Sequence, residues 1–152
     1  MTQKSALISG WMSHRKVLLE IVEKLEDQHI SYKPWEGAMA LSELVLHITS
    51  AMGMFAQTVK NGAFTPPAAQ PEVKTVNELK ETVQKETEET KSLLESLTDD
   101  QLDQIIEFAG MNMPGIALLE SGKDHEIHHK GQLFTYARLV GVEELPFFIN
   151  RS

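Results

Sequence analysis

The sequence predicts an all-α fold, a four-helix bundle, on three observations. Four long segments carry apolar residues at three- and four-residue steps, a proline-rich connection separates the second from the third, and no alternating-polarity run reaches convincing strand length. The 152 residues, 41% hydrophobic and 24% charged, suit one domain with a core large enough to fold unaided.

In the first segment Leu7, Trp11, His14, Leu18, Ile21 and Leu25 form the inward row of a helix expected over roughly residues 3 to 28. Ile8, Val17 and Val22 widen that stripe, which suggests a second partner surface and a dimer interface. Tyr32, Pro34, Trp35 and Gly37 have loop composition. A second helix follows over roughly residues 40 to 60, with Leu41, Leu44, Ile48, Ala51 and Phe55 inside and Asn61-Gly62 as its stop. Pro66, Pro67 and Pro71 exclude a helix there and favour an extended crossing segment. Val76, Leu79, Val83, Leu94 and Leu97 mark the third helix, with Thr75 or Asn77 as its N-cap. The middle of its inward row is polar: the spacing brings Glu86, Thr87 and Thr90 inside, lining a partly wet cavity, unless the helix merely rotates a solvated face there. Thr98 to Gln101 has the form of a capping box, opening a short helical turn through Leu102, Ile105 and Ile106. Phe108 to Met113 reads as loop, and the last long helix runs from about Pro114 to Gly141.

Composition excludes several classes of function. Fourteen Lys and Arg against 22 Asp and Glu give a formal charge of −8, which opposes a nucleic-acid partner, since tracking phosphates needs a basic face. No window approaches the roughly 20 apolar residues of a membrane span, and no signal-peptide run follows Met1 to Ser5, so a cytosolic, membrane-free protein is expected. With no Cys there is no disulfide, thiolate nucleophile or Cys-based metal site. Any metal must sit on His or carboxylate.

Of six His, at 14, 29, 47, 125, 128 and 129, three cluster in Asp124-His-Glu-Ile-His-His-Lys-Gly-Gln132. On a helix His125 and His129 lie about 40° apart and one turn along the axis, close enough to grip one ion, whereas His128 faces about 60° to the other side of His125. A third ligand must come from another helix. His47, mid-helix between Leu46 and Ile48, suits this, because a buried neutral imidazole needs a partner. His14, on the inward row of the first helix, competes with it, and His29 lies in a polar loop. Three imidazoles leave positions for water and substrate, the arrangement of a catalytic rather than a structural metal. Asp124 and Glu126 point off the His125/His129 face, toward solvent or His128. Glu43 reads as a solvated side chain one turn before His47, with orientation of that imidazole as the sharper reading. Gly131 suggests close helix approach, Gln132 a partner for a histidine or a surface amide, and Tyr136 core packing or a pocket wall. The methionines near Phe55 and Phe108 read as packing.

The mid-helix His47 in Leu41-Ser-Glu-Leu-Val-Leu-His-Ile-Thr, the His125-x-x-x-His129-Lys-Gly-Gln-Leu133 segment, the following Tyr136-Ala-Arg-Leu-Val-Gly141 and the Pro34-Trp35 approach together resemble the DinB/YfiT-like family over essentially the whole chain. The resemblance implies an up-down-down-up bundle, usually dimeric, with a divalent metal, nickel or zinc among those found, held by His47, His125 and His129. Many members have Arg after the final His; this chain has Lys130, which keeps the charge but loses planar bidentate donation. Relatives include thiol-dependent S-transferases, isomerases and hydrolases. Here a low-molecular-weight thiol would arrive as cosubstrate, and the expected function is a metal-dependent small-molecule transferase or hydrolase in detoxification or stress response. The rival from another class is a non-enzymatic metal- or ligand-binding homodimer.

Overall fold

The computed structural model describes residues 1–152. Five helices and one hairpin follow in chain order: α1 (Gln3–Glu23), α2 (Leu41–Asn61), α3 (Val76–Ser96), the short α4 (Asp99–Asp103), β1 (Ile105–Phe108), β2 (Met111–Pro114) and α5 (Gly115–Leu139). The four long helices form a ring in which α2 packs on α3 and α5, and α1 packs on the same two from the opposite side. This is the expected four-helix bundle.

Local chemistry sets the helix ends. Thr2 and Thr75 cap α1 and α3 by accepting the amides of Ser5 at 3.0 Å and Glu78 at 3.1 Å. Glu43 reaches back to accept the Ala40 amide at 2.9 Å, so this exposed side chain serves the start of α2. Gly62 ends α2 in the left-handed region at φ 74°, where a side chain would be strained.

Three expectations need correction. Helix α1 stops at Glu23; a 3-10 turn at Asp27–His29 follows, held by the Glu26 amide donating to His29 Nδ1 at 3.0 Å. Asp27 is drawn away to accept the Val76 amide at 2.8 Å, capping α3 from a distant loop. Ile105 and Ile106 do not continue the short helix, and Phe108 to Met113 is not plain loop. Residues 105–108 and 111–114 pair antiparallel around an Ala109-Gly110 turn with φ values of 52° and 81°. Four residues per strand are too few for an alternation signal, and Ala109 is an uncommon residue for a turn that needs φ > 0 at both central positions. Of the residues that widen the α1 stripe, Val17 and Val22 are buried within the chain, where α1 faces both α3 and α5, and Ile8 is half-buried.

The core falls into two apolar clusters. One gathers Val17 to Leu25, Leu41 to Ile48, Leu79, Val83 and Leu133 to Ala137; the other gathers Leu7, Trp11, Met52 to Val59, Leu94 to Leu102, Ile106 and Leu118 to Leu119. Between them lies a belt of buried polar side chains, among them Arg15, Thr49, Thr87, Thr90, Glu126 and Lys130. The polar middle expected for α3 is part of this belt, with Thr87 and Thr90 buried and Glu86 half-buried. No helix is long and apolar enough to cross a membrane.

Candidate metal centre

Helices α2 and α5 approach closely because Gly122 carries no side chain: a Cβ there would lie 2.9 Å from both Met52 Sδ and Phe55 Cδ2. Almost one turn later on α5, His125 faces His47 of α2, and His129 completes a triangle one turn further. Ring centroids are 4.9 Å apart for His47–His125, 4.7 Å for His47–His129 and 4.5 Å for His125–His129. One ring nitrogen from each histidine lies within 4.8 Å of the other two, and no other group of three His, Asp or Glu converges in this way. His47 Nε2 and His125 Nε2 are 3.2 Å apart. Two imidazoles bound at about 2.0–2.1 Å to one ion, with an angle of about 100° between them, would show a similar separation.

Other features suit a divalent ion. Gln132 Oε1 lies 2.7 Å from His129 Nδ1; an amide oxygen only accepts, so the proton sits on Nδ1 and Nε2 keeps its lone pair. Burial pushes the His125 imidazole down to about 4, and the neighbouring His129, His47 and His128 act in the same direction. Burial, then His129, also lowers His47. Both rings are therefore neutral near pH 7, as metal ligation requires. His125 Nδ1, the ring nitrogen turned away from His47, is buried without a partner.

The other sequence candidates lie elsewhere. The His14 Nδ1 is 2.7 Å from Lys130 Nζ on the α1–α5 side, and burial, then Lys130, lowers its pKa. Lys130 is itself buried and donates to the Phe148 carbonyl of the C-terminal tail; burial lowers its pKa against the opposing pull of Glu126. His29 is occupied in the 3-10 turn, and His128 is exposed beside His129 at 4.8 Å between centroids. Tyr136 donates to the Met39 carbonyl at 3.0 Å and packs on Tyr32, so it is a core residue. Gly131 is exposed with nothing near its would-be Cβ; the close approach expected there occurs at Gly122 instead.

The largest correction concerns Glu126. It does not point to solvent or to His128 but is 1% exposed, with its carboxylate accepting from Arg15 Nε at 2.8 Å, Arg15 Nη2 at 2.7 Å and Trp11 Nε1 at 2.9 Å. Arg15 Nη1 continues to Thr87 Oγ1 at 2.9 Å, linking α5, α1 and α3. Asp124 is exposed, in line with the sequence reading. The signal for the buried pair was present on α1: Trp11, Arg15, Leu18 and Val22 step by 4, 3 and 4, which places a guanidinium on the apolar stripe.

Ring-packed helices with three imidazoles meeting between two of them define a class, that of helical bundles with a candidate metal centre. The chain belongs to the DinB family, whose family model matches residues 1–151. It is 41% identical over 154 residues to YjoA of Bacillus subtilis strain 168, an uncharacterized protein, covering 99% of both chains. The crystal structure of that DinB-like protein matches with a TM-score of 0.83 at 42% identity, covering 97% of this chain and 99% of the other. A DinB-like protein from Bacillus cereus shares the fold, with a TM-score of 0.80 at 20% identity over 94% and 95% of the two chains.

Proposed function

We propose that His47, His125 and His129 together hold one divalent metal ion, nickel or zinc, and that the protein is a metal-dependent small-molecule transferase or hydrolase acting in detoxification or stress response. The observation that carries the reading is the convergence of three ring nitrogens within 4.8 Å on helices fixed by a tight α2–α5 contact. A divalent ion held by these three residues would supply Lewis acidity, lowering the pKa of a bound water or thiol.

The chain's own groups divide the remaining work. His129 is oriented by Gln132. The low basicity of His47 and His125 keeps their lone pairs available through the neutral pH range. Glu126, although adjacent to His125, is committed to Arg15 and Trp11 and is not free to take a proton from substrate. With no Cys in the chain, S-transfer requires a low-molecular-weight thiol as cosubstrate. The reading includes a homodimer, expected from the family resemblance and checked by sedimentation.

Elemental analysis of protein purified without an affinity tag tests the centre. About one divalent ion per chain is expected, lost in His47→Ala, His125→Ala and His129→Ala and retained in His14→Ala, whose ring contacts Lys130 instead. Full metal content in the first three variants, or loss in His14→Ala alone, overturns this ligand set. Thiol-transfer and hydrolysis assays with nickel or zinc restored then separate an enzyme from a non-enzymatic binding module.

A further inference from the structure

A second concavity lies between α2 and α3. Helices α2 and α3 part beneath the proline-rich crossing segment, leaving a cleft of about 940 Å³, within the size range of small-molecule sites. None of the three clustered histidines lines it, and neither does any Lys or Arg. Its charged groups are all carboxylates, Glu86, Glu88 and Glu89, while Met54, Leu93 and the Pro66-Pro67 strap supply apolar wall.

Two of its polar groups are poised for a ligand. Thr90 is 4% exposed, and its hydroxyl, which has no hydrogen-bond partner in the protein, faces α2 at Gly53, where a Cβ would stand 3.2 Å from Oγ1. Both residues line the cleft. Glu86 is half-buried; its Oε1 accepts from Thr49 Oγ1 at 2.6 Å, and its Oε2 accepts nothing. Burial raises the Glu86 pKa, against the opposing pull of the Thr49 hydrogen bond and the Arg15 charge. Glu88 accepts from Gln84 at 3.1 Å, and Glu89 has a loose, exposed contact with Lys85 at 3.9 Å.

We propose that this cleft binds a small organic cation, a protonated primary amine with a short apolar chain. The ammonium carries three donors, which match the free Glu86 oxygen and the Thr90 hydroxyl, and the chain lies against Met54, Leu93 and the proline strap. A metal ion fits less well, because the carboxylates do not converge as a ligand set; the one such group in the chain is the histidine trio. An anion is opposed by three carboxylates and the absence of any cationic lining residue. The assignment is independent of the reading given to the histidines.

Two-dimensional amide NMR on the whole chain tests it, with hexylammonium as probe and hexanoate and Mg²⁺ as comparators at pH 7. Saturable shifts at Gly53, Thr65, Ala68 and Thr90 are expected with hexylammonium and with neither comparator. Glu86→Gln removes the charge-assisted contact and weakens binding by about tenfold. Thr90→Val, which keeps side-chain shape and guards against a folding defect in the first variant, weakens it several-fold, and divalent-metal content stays at the parent level in both. Absence of saturable shifts with hexylammonium, equal response to hexanoate, saturation of the same amides by Mg²⁺, or unchanged affinity in Glu86→Gln overturns the proposal.

Discussion

Arg15 and Glu126 illustrate how costly a single pair becomes once it is sealed from water. Each charge has lost its hydration, and each is compensated by the other and by neutral donors or acceptors from Trp11 and Thr87. Removing one partner is therefore far worse than never having had the pair. Glu126→Ala is expected to destabilise the protein by about 3–5 kcal/mol, read as a lowered midpoint in urea unfolding. The double variant Arg15→Met, Glu126→Leu should recover much of that loss; equal destabilisation in single and double variants would show that the cavity, not the stranded charge, sets the cost. The pair was hard to read from sequence because charged side chains are seldom fully buried, so a carboxylate beside a histidine is naturally assigned to solvent. The spacing of His125 and His129 was legible, since two rings four residues apart on a helix must share a face. Periodicity favours His47 over His14 without excluding the latter; the family resemblance decides for His47.

Among the elements, α1 and α2 could be read because their apolar rows run for five or more turns, whereas the hairpin at residues 105–114 could not, because its register depends on tertiary context rather than pattern. On α5 the inward row through Leu119, Gly122, Glu126, Lys130 and Leu133 is polar in its middle, which disguised the buried face. The α2–α5 contact depends on Gly122. Gly122→Ala places a methyl against Met52 and Phe55, side chains that can yield only by repacking the apolar cluster around Trp11, and is expected to cost about 1–3 kcal/mol. For a chain of this size that corresponds to a fall of several degrees in Tm by calorimetry; a rise, as helix propensity alone would give, would show that the two helices separate freely.

For the whole molecule, metal and pH are linked to stability. An ion bound only by the folded state raises the midpoint by mass action; at a hundredfold excess over Kd the gain is about 2.7 kcal/mol, so chelation should lower Tm by about 5–10 °C. An unchanged Tm after verified removal would deny that coupling. In the chelated protein His125 protonates near 4 when folded but near 6.5 when unfolded. Between those values the unfolded chain holds more protons, so stability falls as pH drops from about 6.5 toward 4; His14 and His47, also lowered by burial, act in the same direction. Unfolding titrations across that window check the sign. The polar belt has a consequence for how the bundle can slide. A shift of α5 along its axis by one turn, about 5.4 Å, would set either Gly122 or Lys130 opposite Arg15 in place of Glu126, giving an unanswered guanidinium in one direction and two like charges in the other. Apolar rows by themselves tolerate such slippage, since one leucine can replace another. A single buried ion pair leaves one setting along the helix axis, and in that setting His125 and His129 stand level with His47.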